Sequence, residues 1–551
     1  MTLHPLVDAL QSTNLQNPSA RALDRLFEGA ASDGCTPTER RILQDVKSRY
    51  ENGWDRQTRA DFDRRLGRMP EGPRGVRANG RGPDAEDLSS RMKTVWMAGL
   101  DSMEQAAYVV DMTKLGAELG FNLVLQLPAW QPLAGIAQGL ARVTGMPLAE
   151  LDKVVDVVPT DDYASVWGED NKILSNGDDR ARPVKVLVPP DISDDSLNKA
   201  EAFTKTEGYH RYHQGFQGAV DQRNEPDAAV DVARGLDRDV QTTKTYIEGG
   251  NLLPGVTPDG KAYAMVGRDS VIISAFHLDE RGAFSARQVA QKRAQMERDG
   301  TLSHALVQDT ANKLAEAEQA VAGWWAAPRI DYDQAADFAA KIELAAEQLA
   351  ADVDLPAERL VVVTQPEFHI DMHMRPLAPG EVMVQHPQAA IDLIDTALDD
   401  PHIERWQSNE LMDMRRRAQS DLRTMGPVYD KIMAELQDAG LIAIRAPGVF
   451  QSYNRQANFM NAVPGTTEGG ANYFLTNASS IKPLERAFEA FIKSLGVDEV
   501  RFVGSYGGGA RSLAASETSL ELSGGLDCRE VNHAGTRRPT DDLQRAVRGL
   551  A

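Results

Sequence analysis

Cysteine is almost absent from this 551-residue chain, which holds only Cys35 and Cys528. Two thiols in a chain of this length cannot form a disulfide framework, so a reducing compartment is expected. Long apolar runs are missing as well. No uncharged apolar stretch reaches about 18 residues, so no membrane-spanning helix is predicted and no membrane is expected as a partner. The N-terminal residues, Met1-Thr2-Leu3-His4-Pro5-Leu6-Val7-Asp8, contain no basic segment followed by an apolar run, so no standard signal peptide is expected. Positive charge is in deficit, and the formal net charge is −21. That balance argues against a nucleic-acid partner, whose phosphates require basic surface. It favours cationic ligands mildly and also serves solubility. With 42% hydrophobic and 26% charged residues the composition is that of a globular protein, read as cytoplasmic.

The chain is long enough for several domains and a large core. Residues 1–68 read as a helical unit. Within it, Thr36-Pro37-Thr38-Glu39 supplies an N-cap, a proline at the first helical position and a glutamate at the third, opening an amphipathic run from Arg40 to Tyr50. Cys35 stands just before this start and reads as an incidental loop thiol. Residues 69–92 begin with a Gly-, Pro- and Arg-rich stretch with almost nothing apolar to bury, and read as a linker.

From residue 93 to 551 the pattern is that of one α/β domain. Thr94 to Ala98 predicts a strand, Met103 to Leu119 a helix and Asn122 to Leu127 a second strand. The alternation returns at Val184 to Val188 with the helix Asp194 to Thr206. It returns again at Leu360 to Thr364 and Val382 to Gln385 with the helix Pro387 to Leu398. Helices from Val428 to Ala439 and from Leu484 to Leu495 lead into strands at Leu441 to Arg445 and Val500 to Gly504. Tyr263 to Ile273 reads as a hairpin-like pair. Repeated units of this kind predict a domain assembled from similar modules. One block departs from the pattern. From about residue 286 to 353 the chain is rich in Ala, Glu, Gln and Lys, broken by Trp324-Trp325-Ala326-Ala327-Pro328, and predicts two or three inserted long helices. The paired tryptophans read as packing at a helix turn.

Four short stretches carry the chemistry. Ser523-Gly524-Gly525-Leu526-Asp527-Cys528 puts a cysteine after a small-residue turn, in a segment too polar for a core thiol. Upstream, Val166-Trp167-Gly168-Glu169-Asp170 pairs two carboxylates behind an aromatic residue. Tyr246-Ile247-Glu248-Gly249-Gly250-Asn251 places a carboxylate before glycines that permit close backbone approach. In Glu367-Phe368-His369-Ile370-Asp371-Met372-His373, an extended backbone would turn His369, Asp371 and His373 to one side. That trio suits either a metal ion or a histidine with a carboxylate poised for proton transfer. Gly504-Ser505-Tyr506-Gly507-Gly508-Gly509 lacks the Gly-Lys-Ser/Thr ending of a phosphate loop and reads as a flexible loop.

Tryptophan then aspartate, Ile-Glu-Gly-Gly-Asn, His-x-Asp and Gly-Gly-Leu-Asp-Cys, in that order over residues 93–535, resemble the guanidino-group-modifying (pentein) superfamily of deiminases and amidinotransferases. Asn458-Phe459-Met460-Asn461-Ala462 is similar to the asparagine-rich strand before that family's cysteine module. The resemblance implies a propeller-like α/β fold of five modules and no cofactor or metal. It implies Cys528 as nucleophile, His369 as general acid/base and Glu248 as the residue that orients it, with Asp170 and Asp371 gripping a guanidinium. The implied activity is cysteine-dependent hydrolysis of a guanidine, free or protein-bound arginine or agmatine, to ammonia and a citrulline-type product. Amidino transfer to an amine and a non-catalytic binding role are the alternatives. Glu169 stands where many members have arginine, and Arg529 to His533 matches no one subfamily closely. The N-terminal unit and the helical insertion lie outside the resemblance and favour a large substrate or a regulated enzyme. Oligomeric state is left open.

Overall fold

Strand-forming segments of four to seven residues alternate with helices along the chain, and parallel strands need such a crossover to pair. The computed structural model describes residues 3–31, 34–69, 82–83, 85, 87–88, 92, 94–98, 103–128, 130–160, 173–176, 185–205, 230, 233, 239–323, 327–366, 369–448, 458–504 and 531–532. Within these residues the strands form five small sheets, and all five repeat one pattern. A central strand pairs antiparallel with one neighbour and parallel with the strand beyond a helical crossover.

The pattern is plainest in three consecutive sheets. Ala262–Gly267 lies between antiparallel Leu252–Val256 and parallel Leu360–Val363. Glu381–Gln385 lies between antiparallel Met374–Ala378 and parallel Ile442–Ala446. Asn472–Asn477 lies between antiparallel Ala462–Thr466 and parallel Glu499–Val503. In a further sheet Lys185–Val188 pairs antiparallel with Ile173–Asn176 and parallel with Val240–Thr242, and Gly82–Pro83 adds to the edge. The remaining sheet is completed from the far end of the chain. Its strand Thr94–Ala98 runs parallel to Asn122–Pro128 and pairs antiparallel with Val531–Asn532.

Most predicted elements are found within a residue or two of their expected bounds. The hairpin expected over Tyr263 to Ile273 is not. Ala262–Gly267 is a strand, and Arg268–Glu280 is a helix. The β-branched Val271-Ile272-Ile273 run reads as strand, but the helix is buried from Asp269 through Leu278 and therefore lacks the polar face that reveals a helical period. The inserted block forms three helices, Ala286–Asp299, His304–Ala322 and Tyr332–Asp352, within the crossover between Ala262–Gly267 and Leu360–Val363. Trp324 and Trp325 lie outside the described residues.

The N-terminal residues fold into the helices Pro5–Ser12, Ala20–Ala30, Pro37–Tyr50 and Arg56–Leu66. Thr36 forms the expected capping box with Glu39, and Cys35 is buried beside it. Leu6, Leu26, Leu43 and Phe62 share a core with Met383, Ile394, Leu411, Phe474 and Phe488. Burying each such side chain contributes roughly 1.5–3 kcal/mol. Polar contacts join the same parts: Leu3 N donates to Ala439 O at 3.2 Å, and the Thr36 hydroxyl donates to Glu381.

Candidate active site

The site is assembled where chain segments enter the first strands of successive sheets. Glu248 has extended backbone and is followed by the single tight turn Gly249–Asn251, which leads into Leu252–Val256. Its approach is held on two sides. Tyr246 N donates to Ser274 Oγ at 2.9 Å, and the Tyr246 hydroxyl donates to Glu248 Oε2 at 3.3 Å.

His369 and Asp371 come from the next segment, just before Met374–Ala378. The Gly250 carbonyl accepts from the backbone N–H groups of Ile370 at 3.0 Å and Asp371 at 3.2 Å. This docks the two motifs on one another. A Cβ on Gly250 would sit 2.5 Å from His369 Nδ1, so only glycine allows the imidazole to lie against this turn. With the backbones so placed, His369 Nε2 lies 2.6 Å from Glu248 Oε1, and both side chains are buried. On the other edge of the ring, Nδ1 lies 4.0 Å from Asp371 Oδ1.

Asp371 is fully buried. Desolvation raises its pKa, while the charges of His369, Arg375 and His373 act in the opposite direction. Asn461 Nδ2 donates to Asp371 Oδ2 at 2.7 Å, favouring the ionised form. Asn461 is itself fixed: its backbone N donates to Asn458 Oδ1 at 3.3 Å, and its carbonyl accepts from Asn477 Nδ2 at 2.8 Å. The chain of contacts ends at Tyr108, whose hydroxyl donates to Asn477 Oδ1 at 2.9 Å.

His373 does not share the face expected of it. Residues 369–373 form a turn, with His373 N and Met374 N both donating to Ile370 O at 3.0 and 2.9 Å, so the alternation of an extended strand does not apply. The His373 ring points instead to Tyr429, with Nδ1 2.9 Å from the hydroxyl, and Gln385 Nε2 donates to the same hydroxyl at 3.1 Å. Among the described residues no group of three His, Cys, Asp or Glu side chains is arranged to hold a metal ion.

Cys528 and Asp170, together with Trp167 and Glu169, lie outside the described residues, as does the loop from Ser505 to Gly509. Asn461, Asn477 and Tyr246 are site residues to which sequence reasoning assigned no role. The available signal was a pair of asparagines, Asn458 and Asn461, flanking apolar Phe459 and Met460.

Comparison with protein-family models and with curated proteins gives no match. Among solved structures, the chain is similar to C. jejuni agmatine deiminase, at 12% identity and a TM-score of 0.40, over 83% of this chain and 97% of that one. It is also similar to a candidate agmatine deiminase from a structural-genomics programme, at 12% identity and a TM-score of 0.41, with the same coverage of each chain.

Proposed function

We propose that the protein is a cysteine-dependent hydrolase of a guanidine group, of the pentein type, with its five sheets closed as a ring about the site. The observation that carries the reading is the buried Glu248–His369 pair, with Asp371 on the other edge of the imidazole. Strand order supports it further. Asp371 stands three positions before Met374–Ala378, Asp170 three before Ile173–Asn176, and Cys528 three before Val531–Asn532. Glu248 and Asn461 likewise stand just before Leu252–Val256 and Ala462–Thr466. Each of the five sheets would thus have a polar residue within a few positions before its antiparallel outer strand.

In this scheme Asp170 and Asp371 hold the planar N–H fork of the guanidinium and set its carbon beside Cys528. The bound cation favours the thiolate, which adds to the carbon to form a tetrahedral adduct. Collapse expels ammonia, which takes its proton from His369, and leaves an S-alkylthiouronium. A water molecule gives a proton to His369 and adds to the same carbon. The carbon–sulfur bond then breaks, restoring the thiolate, and the adduct's hydroxyl proton leaves for solvent, where it converts the released ammonia to ammonium as the neutral ureido product departs. Glu248 stabilises the imidazolium that appears in each half-reaction. The sum is guanidinium plus water giving urea derivative plus ammonium.

The test is a product assay of the purified protein offered agmatine, free arginine and an arginine-containing protein, reading ammonia and ureido product together. Ammonia and ureido product from one of them, lost in Cys528→Ala, is the expected result. Full turnover by Cys528→Ala would sink the proposal.

A further inference from the structure

The inserted helices enclose a cleft that the chemistry at His369 does not use. It holds about 610 Å³ and lies between the helices Asp194–Thr204, Arg268–Glu280, His304–Ala322 and Tyr332–Asp352. Its floor is apolar. Phe276, Leu314 and Phe338 are buried there, and the two phenylalanine rings pack with centroids 4.6 Å apart.

Most of the charge on its rim is already matched. Lys199 Nζ lies 2.9 Å from Glu318, Lys341 Nζ 2.6 Å from Asp279, and Asp337 3.3 Å from Arg293. Three groups remain. Arg329 and Asp195 line the cleft and make no ion pair with any described residue. Glu280 accepts from the Ser193 and Ser196 hydroxyls through Oε2 alone, which leaves Oε1 for a ligand among the described residues. Those hydroxyls hold its pKa below the ordinary carboxylate range, so it is anionic at neutral pH.

Among the described residues, one cation without an ion pair, one carboxylate without an ion pair, a second carboxylate with one oxygen left over and an apolar floor define a ligand with both charges and a hydrophobic body. We propose that the cleft binds an α-amino acid with an apolar side chain. Its carboxylate meets Arg329, its ammonium meets Asp195 and Glu280, and its side chain covers Phe276, Leu314 and Phe338. The volume falls within the usual range of small-molecule sites, roughly 300–1,000 Å³. A planar guanidinium is the side chain best matched to a carboxylate. A simple amine would set its charge against Arg329, and a simple fatty acid would set its charge against two carboxylates. The proposal is independent of the reaction at His369.

Isothermal titration of the full chain tests it, with L-phenylalanine and L-leucine as probes beside phenethylamine and 3-phenylpropanoate. Both amino acids should bind, and each singly charged analogue should bind more weakly by about tenfold or more. Arg329 is exposed, so Arg329→Gln should keep the thermal midpoint yet weaken the amino acids to a similar degree. Cys528→Ala should bind as the parent does. No heat from either amino acid at millimolar concentration, equal binding of the amine, or undiminished binding by Arg329→Gln overturns the proposal. Loss of binding in Cys528→Ala also overturns it, because it places the ligand in the catalytic site.

Discussion

Glu248 and His369 are separated by 121 positions, yet their side chains meet at 2.6 Å in a buried setting. A carboxylate so placed fixes the ring orientation and favours the imidazolium that a proton-transfer role requires. Glu248→Gln keeps the shape and removes the charge. Turnover should fall by roughly 10²- to 10⁴-fold, with the thermal midpoint little changed. Steady-state kinetics on the substrate found by the product assay checks this. A variant with the parent's kcat would exclude His369–Glu248 as the acid/base pair.

Gly250 offers a second test, resting on space alone. Its Cβ would lie 2.5 Å from Nδ1 and 2.7 Å from Cγ of His369, and the turn also holds Ile370 and Asp371 through the Gly250 carbonyl. Gly250→Ala should therefore displace the imidazole from Glu248. A strain of roughly 1–3 kcal/mol is expected in the denaturant midpoint, and a misplacement near 1 Å costs about 10²-fold in rate. Parent-like activity and stability in Gly250→Ala would show that the ring has another resting place.

Asn461 should reveal itself through pH. Burial raises the Asp371 pKa, and the 2.7 Å hydrogen bond from Asn461 stabilises the ionised form, the one that would hold a cation in the proposed reaction. In Asn461→Leu the carboxyl should titrate higher still, so the acid limb of kcat/KM should move to higher pH. The stability effect has a definite sign too. A carboxyl with a raised folded pKa keeps its proton where the unfolded chain has lost it, so stability falls as pH rises between the ordinary and the raised value. The variant should widen that window. A uniform rate loss with an unmoved pH profile would assign Asn461 a packing role only.

The sequence was legible where local chemistry is self-contained. The Thr36 capping box, the crossover helices and most strands follow from caps, period and composition. It misled where burial erased the pattern, as in the helix Arg268–Glu280, whose β-branched run has no polar face to reveal its period. It misled again at His373, because a turn stabilised by the Ile370 carbonyl replaces the extended backbone that alternation assumes. Within the described part of the site, Glu248, His369 and Asp371 were visible as motifs. Asn461 was visible only within the asparagine-rich Asn458–Ala462 stretch, without a role, and Asn477 and Tyr108 were not visible, because what unites the three is a relay of hydrogen bonds rather than any spacing along the chain.

The junction of the N-terminal helices with the sheets gives a last prediction, about acid stability. His4 is buried and caps its helix, with Nδ1 accepting from Leu6 N at 3.1 Å. Desolvation pushes its pKa down to about 3, even with Glu39 Oε1 only 3.4 Å from Nε2. In the unfolded chain the imidazole takes a proton near its ordinary value of about 6.5. The unfolded state therefore binds the proton first as pH falls, and stability should decline from about pH 6.5 downwards. The Glu39 carboxylate opposes this by favouring the imidazolium, so the decline should be smaller than burial alone would produce. His4→Asn preserves a side-chain acceptor for the cap and removes the titration. Denaturant midpoints at pH 7 and pH 5 should differ less in this variant than in the parent. An unchanged difference would mean that other groups carry the acid response and that His4 is protonated within the fold.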